Sequence, residues 1–457
     1  MKLARLLPVL ILSALGVAQT ARAVLPTDAE AEAILKTHLI DKQLVKGAAV
    51  ALVDAQGIRV VAVGESRAGS ALKPDDLFEI GSVTKTFAGL LLAIADESGE
   101  AKLDDPVEKF LPDGLKLRDA KGEPIRMADL ATHRSGLPRL APNMRPANQK
   151  DPYSDYTEAQ LLEFVKGFTA TAPRDVKFEY SNIGFGLLGF ALTRAAQAES
   201  FDALLTMRIF APLGMTASTT LPTRFAARMT QPHDTAGRPT PAWHLAPAHA
   251  AAGAIRSTAG DMGRYVELMA GVKPSPLSAA AQRATTPRAA SANPINPIGL
   301  AWLKVPFNER VLSNHDGATF GSSASLFVDR EKREGVFLVA NGSTRLFDVA
   351  LHLLDRRHVV KTRSFPAIVS VPSDTLAAYV GEYRLNERMV VTVRLRDDKL
   401  TAQATGQGEF EIFAESRTRF FAKAAPIVIT FGEVNAGRAG QFTLEQGGAT
   451  LIAKRVE

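Results

Sequence analysis

The chain has 457 residues, contains no cysteine and carries a formal net charge of +6 at pH 7. This length is sufficient for a large hydrophobic core and for two domains. The lack of cysteine excludes disulfides, thiolate catalysis and cysteine-ligated metal sites. Because the basic residues form no block and are not interleaved with aromatic residues, we expect no nucleic-acid partner.

The first 23 residues have the pattern of a secretory signal peptide. Lys2 and Arg5 precede an apolar run at 6–17, and Ala21-Arg22-Ala23 matches a small-residue cleavage site. Removal of this segment takes away Lys2, Arg5 and Arg22, so the net charge of +6 falls to +3. No later stretch reaches the roughly 18 uninterrupted apolar residues of a membrane-spanning helix. The sequence therefore predicts a periplasmic or secreted protein with no integral membrane segment after signal removal.

Helical spacing at 28–44 predicts a helix, and the β-rich runs at 47–53 and 58–63 predict a hairpin around a short turn that contains Gly57. The next stretch, 78–95, is the most informative in the chain. Apart from Lys85 it contains no charged residue from position 84 to position 95, so we predict a buried helix that ends at Gly99.

Residues 103–247 predict mostly helices and loops, including a proline-rich surface loop at 138–152. Strands return at 323–328 and 335–340, and they can pair with the N-terminal hairpin. The predicted fold is thus an α+β sandwich, in which an antiparallel sheet is flanked by helices and carries a helical subdomain.

The character of the sequence changes after residue 360. Residues 361–373 contain two prolines and no clear periodicity, which is typical of a linker. Seven short apolar runs between 389 and 453, spaced about ten residues apart, predict a small all-β barrel or meander. We therefore predict a signal peptide at 1–23, a first domain at 24–360, a linker at 361–373 and a barrel domain at 374–457.

Ser82 and Lys85 are candidates for a nucleophile and its base. Three residues apart on a helix, they lie on the same face, close enough for the amine to accept the hydroxyl proton. Burial lowers the pKa of a lysine towards neutrality, and a helix N-terminus favours an anion that develops next to Ser82. The alternative is an N-cap serine beside a lysine that reaches solvent, and for an isolated Ser-x-x-Lys motif this is the commoner case.

Two further segments could complete a reaction centre for acyl transfer. Tyr180 could act as a proton shuttle if a nearby ammonium lowers the pKa of its phenol, and Asn182 could hydrogen-bond Lys85 and a substrate amide. The alternative is a half-buried tyrosine next to an asparagine that caps a helix.

The second of these segments, His315-Asp316-Gly317-Ala318, stands just ahead of a predicted strand. Its glycine would let a substrate approach the strand edge, where a backbone N–H could complete an oxyanion hole. The alternative for this segment is a polar turn.

The order Ser82-x-x-Lys85, Tyr180-x-Asn182 and His315-x-Gly317 resembles the three-motif signature of the serine β-lactamase and penicillin-binding protein superfamily. Flanking segments at 130–138, 209–215, 252–258 and 299–302 are similar to the class C β-lactamase branch, which includes D,D-carboxypeptidases, D-aminopeptidases and esterases. The barrel, with Tyr379-Val380-Gly381-Glu382-Tyr383 at its start, resembles the lipocalin-like domain fused to some members.

This resemblance implies a role for each motif residue. Ser82 would be the acylated nucleophile, Lys85 the base and Tyr180 the acid/base partner. The substrate-binding residues would be Asn182, His315, Gly317 and Ala318, with the backbone N–H groups of Ser82 and Ala318 forming the oxyanion hole.

One feature departs from the class C pattern, in which the third motif carries a lysine and a threonine that attract the β-lactam carboxylate. His315 and Asp316 make a poorer site for an anion at pH 7. The implied function is an exported serine hydrolase that acts on a β-lactam, a D-amino-acid peptide or an ester; a penicillin-binding sensor with slow turnover is the alternative. The implied partner is a small-molecule or peptidoglycan-like substrate. We expect no cofactor and no metal site, because His244 and His249 miss the i, i+4 spacing of a helical metal pair.

Overall fold

A computed structural model of the chain describes residues 25–112, 114–361, 364–387 and 389–456. The predicted signal peptide at 1–23 lies outside these residues. The α-helices are α1 Asp28–Leu35, α2 Thr84–Ser98, α3 Met127–Ala131, α4 Glu158–Gly167, α5 Asn182–Ala195, α6 Phe201–Leu205, α7 Ala211–Leu213, α8 Ala250–Gly253, α9 Ala259–Ala270, α10 Ser278–Thr285, α11 Phe347–Leu354 and α12 Ser373–Ala377.

Several short helical segments of other types extend or precede these helices. They are the π-helical segments Lys36–Ile40 and Thr206–Phe210 and the 3-10 segments Gly81–Val83, Val107–Phe110, Ala226–Arg228 and Pro247–His249. The 3-10 turn at Gly81–Val83 runs directly into α2 and carries the candidate nucleophile.

The strands fall into a large open sheet, a barrel and two short pairs. They are β1 Gly47–Asp54, β2 Gly57–Arg67, β3 Ser70–Ala71, β4 Phe78–Glu79, β5 Arg256–Ser257, β6 Leu303–Phe307, β7 Arg310–Ala318, β8 Ser323–Asp329, β9 Glu334–Ala340, β10 Gly381–Asn386, β11 Met389–Arg396, β12 Lys399–Ala404, β13 Phe410–Ala414, β14 Arg419–Ala422, β15 Ile427–Phe431, β16 Val434–Asn435, β17 Arg438–Ala439, β18 Gln441–Gln446 and β19 Ala449–Arg455.

The open sheet has seven strands in the order β3-β2-β1-β9-β8-β7-β6. Its centre confirms the prediction that the N-terminal hairpin pairs with strands from far along the chain, because β1 is antiparallel to both β2 and β9. Ala48 faces Val63 on one side and Ala340 on the other. The paired central strands of the sheet thus come from both ends of one domain, and the helical insertion lies between them in the chain.

Both faces of the sheet are covered by helices. Along β1, Ala49, Ala51 and Val53 pack into one core with α2 and α9, whereas Ala48, Val50 and Leu52 pack into a second core with α1 and α11. The period of two along a strand explains this division. The result confirms the predicted sandwich of helices around an antiparallel sheet.

The hairpin formed by β6 and β7 was not predicted from the sequence. Its tip turns at Asn308, whose φ of 54° is left-handed, and β6 contains Pro306. In β7 the buried positions include the polar residues Asn314 and His315, so the strand lacks the apolar alternation that identifies a strand in a sequence. His315 and Gly317 therefore lie within a strand of the main sheet.

The C-terminal residues form a closed barrel in the order β10-β11-β12-β13-β14-β15-β18-β19. Closure occurs where Tyr383 of β10 pairs with Arg455 of β19. Strand β10 was missing from the predicted set, although the barrel itself was expected. Inside the barrel, Tyr379 stacks on Phe431 with ring centroids 4.2 Å apart, and Tyr383 packs against Phe442.

The barrel contacts the first domain through an ion pair. Arg238, in the loop that leads to Trp243, lies 2.7 Å from the largely buried carboxylate of Glu411 in β13. A second connection runs through the segment after residue 363, where the ring of Phe365 stacks on Phe421 of the barrel.

Candidate active site

Ser82 stands at the point where a short strand turns into the buried helix α2. Strand β4 pairs with β5, and the 3-10 turn at Gly81–Val83 then continues into α2. The N–H groups at the start of such a helix have no partner within the helix, so the position suits an oxygen that becomes negative. Ser82 itself is half-buried.

Lys85 lies one turn further along and is completely buried, with 0% of its surface exposed. Its Nζ lies 3.0 Å from Ser82 Oγ and donates to the carbonyl oxygen of Ala252 at 2.6 Å. Burial lowers the pKa of this amine well below its ordinary value, and the nearby positive charge of Arg139 lowers it further. Lys85 can therefore serve as an uncharged base for the Ser82 hydroxyl.

Tyr180 approaches Ser82 from the opposite side, with its hydroxyl donating to Ser82 Oγ at 2.8 Å. Burial raises the pKa of this phenol to about 12. The expectation that a neighbouring ammonium lowers the pKa was therefore wrong. The reason is that the phenol is itself buried, and burial disfavours its charged form.

Asn182 is the first residue of α5, directly after Ser181, whose side chain caps that helix. The amide nitrogen of Asn182 donates to the Tyr153 hydroxyl at 3.1 Å. This contact takes the place of the expected hydrogen bond from Asn182 to Lys85. Asn182 lines the same cavity as Ser82, so it remains positioned to meet a substrate.

Two glycines allow the end of β7 to approach the Ser82 turn. A Cβ atom on Gly317 would lie 2.0 Å from the carbonyl oxygen of Ile80, and one on Gly81 would lie 2.7 Å from the nitrogen of Ala318. Gly81 also has a φ of 50°, which side chains disfavour. The backbones of strand and turn are therefore in direct contact only because both positions lack a side chain.

The N–H of Ala318 is available at this contact. Thr319 donates its N–H to Ser322 on the side of β8, and successive N–H groups of a strand alternate in direction. The N–H of Ala318 therefore points to the other edge, where β6 pairs with β7 only as far as Asn314. Together with the N–H of Ser82, it can form the oxyanion hole that the sequence predicted.

The histidine of the third motif, His315, is uncharged. His315 Nδ1 lies 2.7 Å from the carbonyl oxygen of Asp316, which makes Nδ1 the donor, and burial lowers the pKa of the ring to about 3. The carboxylate of Asp316 accepts hydrogen bonds from Ser325 at 2.6 Å and Asn314 at 3.2 Å. These contacts agree with the expectation that His315 and Asp316 form a poor anion site.

Two cavities meet at Ser82. The larger, of about 500 Å³, is lined by Tyr180 and His315 among others, and the smaller, of about 200 Å³, is lined by Asn182 and other residues. Ser82, Arg139 and Ala318 line both. A substrate whose carbonyl lies between the N–H groups of Ser82 and Ala318 can extend into both cavities.

Sequence reasoning assigned no chemistry to His133, although it lies in one of the flanking segments that support the resemblance. Its Nδ1 accepts from the N–H of Ser181 at 3.0 Å, and its ring stacks on Tyr180 with centroids 4.3 Å apart. Burial holds its pKa well below the usual range. His133 is thus an uncharged support that fixes the phenol.

Glu79 was also missed, because a carboxylate in a short strand gives no sign of its distant partners. It accepts hydrogen bonds from the N–H of Trp243 at 2.6 Å and from the hydroxyls of Thr319 at 3.1 Å and Ser322 at 3.4 Å. Burial raises its pKa to about 7. Its hydrogen bonds thus connect the Ser82 turn to the segments that carry Trp243 and Thr319.

Among the described residues, no group of three or more histidine, aspartate or glutamate side chains is placed to hold a metal ion. In the same part of the chain, no helix has both the length and the apolar character needed to cross a membrane.

Comparison with known families agrees with this site. Residues 34–361 match the model of the Beta-lactamase family, and residues 366–453 match a domain of unknown function, DUF3471. The chain therefore belongs to the beta-lactamase family, which confirms the resemblance read from the three motifs. The likeness of the barrel to lipocalin-like domains stays a prediction.

The relatives include peptidases and β-lactamases. AmpH of Escherichia coli K12, named D-alanyl-D-alanine-carboxypeptidase/endopeptidase, is 29% identical over 223 residues, which make up 48% of this chain and 56% of AmpH. The chain thus matches little more than half of that protein's length.

Two solved structures share the fold. A β-lactamase/D-alanine carboxypeptidase from Yersinia pestis aligns with a TM-score of 0.62 at 24% identity, covering 72% of this chain and 98% of that one. The octameric penicillin-binding protein homologue from Pyrococcus abyssi aligns with a TM-score of 0.64 at 21% identity, covering 93% of this chain and 99% of that one.

The contact between β7 and the Ser82 turn can be tested by Gly317→Ala. The added methyl group would overlap the carbonyl of Ile80 and push Ala318 away, and loss of an oxyanion-hole donor costs about 100-fold or more in kcat. Steady-state kinetics measures this loss. Gly167→Ala is the matched control, because a Cβ there meets no atom within 4 Å. Near wild-type activity of Gly317→Ala would show that this contact does not build the site.

Proposed function

We propose that this protein is an exported serine hydrolase that forms an acyl-enzyme on Ser82 with a β-lactam or a related amide or ester. One observation carries the proposal: Ser82 Oγ lies within 3.0 Å of a buried amine and 2.8 Å from a protonated phenol. A nucleophile, a base and a proton donor are the parts that acyl transfer requires, and the N–H of Ala318, which points away from β8, can supply an oxyanion donor.

Acylation begins when Ser82 Oγ attacks the substrate carbonyl carbon and its proton passes to the amine of Lys85. The carbonyl oxygen becomes negative between the N–H groups of Ser82 and Ala318. When this intermediate collapses, the bond from carbon to the leaving nitrogen or oxygen breaks. The leaving group takes a proton from Tyr180, and Tyr180 regains one from Lys85.

Deacylation repeats these steps with water as the nucleophile. The neutral amine of Lys85 takes up the proton of the attacking water, with the Tyr180 hydroxyl relaying it by accepting one proton as it gives up its own. The second tetrahedral intermediate then collapses with release of the acid. Ser82 Oγ recovers its proton from Lys85, so the site returns to its starting state. If deacylation were slow, the acyl-enzyme would be long-lived. The protein would then act as the penicillin-binding sensor that is the alternative function.

The neutral third motif bears on the substrate. Because His315 is uncharged and the carboxylate of Asp316 lies beside it, this end of the larger cavity offers little attraction to a β-lactam carboxylate. Within the proposed range, the observation favours esters and amides whose leaving group carries no carboxylate. AmpH, whose name describes a D-alanyl-D-alanine carboxypeptidase and endopeptidase, adds a D-Ala-D-Ala peptide to the test substrates.

We also propose that the protein is exported from the cytoplasm. Expression of the full chain in a Gram-negative host should yield a processed protein in the osmotic-shock fraction, because residues 1–23 match a signal peptide. Intact-mass measurement should place the new N-terminus at Val24. Recovery of the unprocessed chain in the cytoplasm would contradict export.

The nucleophile is tested with Ser82→Ala against nitrocefin, p-nitrophenyl butyrate and a D-Ala-D-Ala peptide. We expect the variant to lose activity on every substrate that the wild type hydrolyses, because no acyl-enzyme can form. Mass spectrometry of the wild type should locate the acyl group on Ser82, and a burst followed by steady release would separate a hydrolase from a slow sensor. Equal activity of the two proteins would overturn the mechanism.

The protonation state of Lys85 determines the pH profile that we expect. Lys85 acts when uncharged, so kcat/KM should fall as the pH drops through its lowered pKa and stay level above it. Tyr180 must keep its proton, and a pKa of about 12 means no alkaline loss below about pH 10. Tyr180→Phe should reduce the rate about 100-fold or more yet retain the acid limb. A limb centred near the ordinary lysine pKa would show that Lys85 is charged.

A further inference from the structure

Arg139 stands at the junction of the two cavities without a carboxylate partner. It lines both of them beside Ser82, its side chain is exposed, and its guanidinium carbon lies 5.0 Å from the ring centre of Tyr180. Among the described residues, no Asp or Glu oxygen comes within 4.0 Å of its guanidinium nitrogens, whereas Arg134, five positions earlier, contacts Asp175 at 2.5 Å. An exposed arginine over a catalytic ring, with no acid beside it, is available to a ligand.

The positions of the reacting groups decide which part of a substrate meets which cavity. Tyr180 lines the larger cavity but not the smaller one. The proton donor must reach the leaving group, so the leaving group lies in the larger cavity. The acyl group therefore occupies the smaller cavity, beside Asn182.

The smaller cavity has a simple composition. Among the residues that line it, Arg139 is the one with a charged side chain; Trp243 and Leu245 supply apolar surface, and Asn182 and Thr319 supply polar groups. At about 200 Å³ it suits a short acyl chain. A guanidinium at its mouth can bind a carboxylate through two parallel hydrogen bonds.

On this basis, which rests on the proposed function, we propose that Arg139 is a specificity-determining residue that selects short acyl groups with a terminal carboxylate. The anionic group of the substrate then belongs to its acyl part and not to its leaving group. This assignment is consistent with the third motif, where the larger cavity presents neutral His315 and the carboxylate of Asp316.

Two esters with the same leaving group test the assignment. Mono-p-nitrophenyl glutarate and p-nitrophenyl valerate have acyl chains of equal carbon count and differ in the terminal carboxylate. We expect the wild type to favour the glutarate in kcat/KM, and Arg139→Met to reduce the glutarate-to-valerate ratio about tenfold, mainly through KM. Arg139→Lys should recover part of the ratio, because it restores the charge but not the paired hydrogen bonds.

Arg145 provides a matched control in the same proline-rich segment. Its guanidinium donates to the carbonyl oxygens of Pro142 and Met144, and it lines neither cavity. Arg145→Met should leave the ratio unchanged.

Two other outcomes would contradict the account at different levels. If Arg139→Met lowers the rates for both esters equally, Arg139 tunes Tyr180 or Lys85 and the carboxylate assignment is wrong. If neither ester acylates Ser82 in the wild type, as judged by intact mass, the proposed function itself fails.

Discussion

The site depends on the burial of a single amine. Lys85 has no exposed surface, and the cost of keeping a charge there shifts the amine towards its neutral form. Neutrality gives Ser82 a base, and it also allows the phenol of Tyr180 to remain protonated. Burial likewise holds the neighbouring rings of His133, His249 and His315 uncharged, because it is the largest cause of the lowered pKa of each ring. The chemistry of the centre is therefore set by desolvation more than by any ion pair.

The fold brings the reacting groups together from distant parts of the chain. The Ser82 turn follows a short strand near the N-terminus, Tyr180 precedes a helix of the insertion, and Ala318 ends a strand of the main sheet. Gly81 and Gly317 remove the two side chains that would separate turn and strand. Glu79 joins the same turn to Trp243 and Thr319, so the walls of the smaller cavity share one buried carboxylate. Arg238 and Glu411 link the barrel to the loop that carries Trp243.

Much of this arrangement could be predicted because it rests on local signals. Strands β1 and β2 are β-rich runs on either side of a short turn, α2 is an apolar helix, and Gly99 ends it with a φ of 82°. The close approach of Ser82, Lys85 and Tyr180 agrees with the family resemblance. Strand β7 was not predicted because its buried positions include polar residues. Strand β10 was not predicted because its first residues were assigned to the start of the barrel and not to a strand.

Properties that depend on the environment of a side chain were harder to predict. The pKa of Tyr180 was placed on the wrong side of its usual value, since the sequence does not show that its phenol is buried. The roles of Glu79 and Arg139 are visible only when the partners of Glu79, and the lack of a carboxylate partner for Arg139, are known. The partners of Glu79 lie at least 164 positions away along the chain, so no local pattern encodes its role.

The most direct test of this account is the titration of the Lys85 amine itself. Lysine labelled with nitrogen-15 can be followed by NMR against pH, with Lys85→Met identifying the signal. We expect a Lys85 pKa well below the ordinary lysine value and a neutral amine at the pH of catalysis. A titration near the ordinary value of about 10.4 would contradict it.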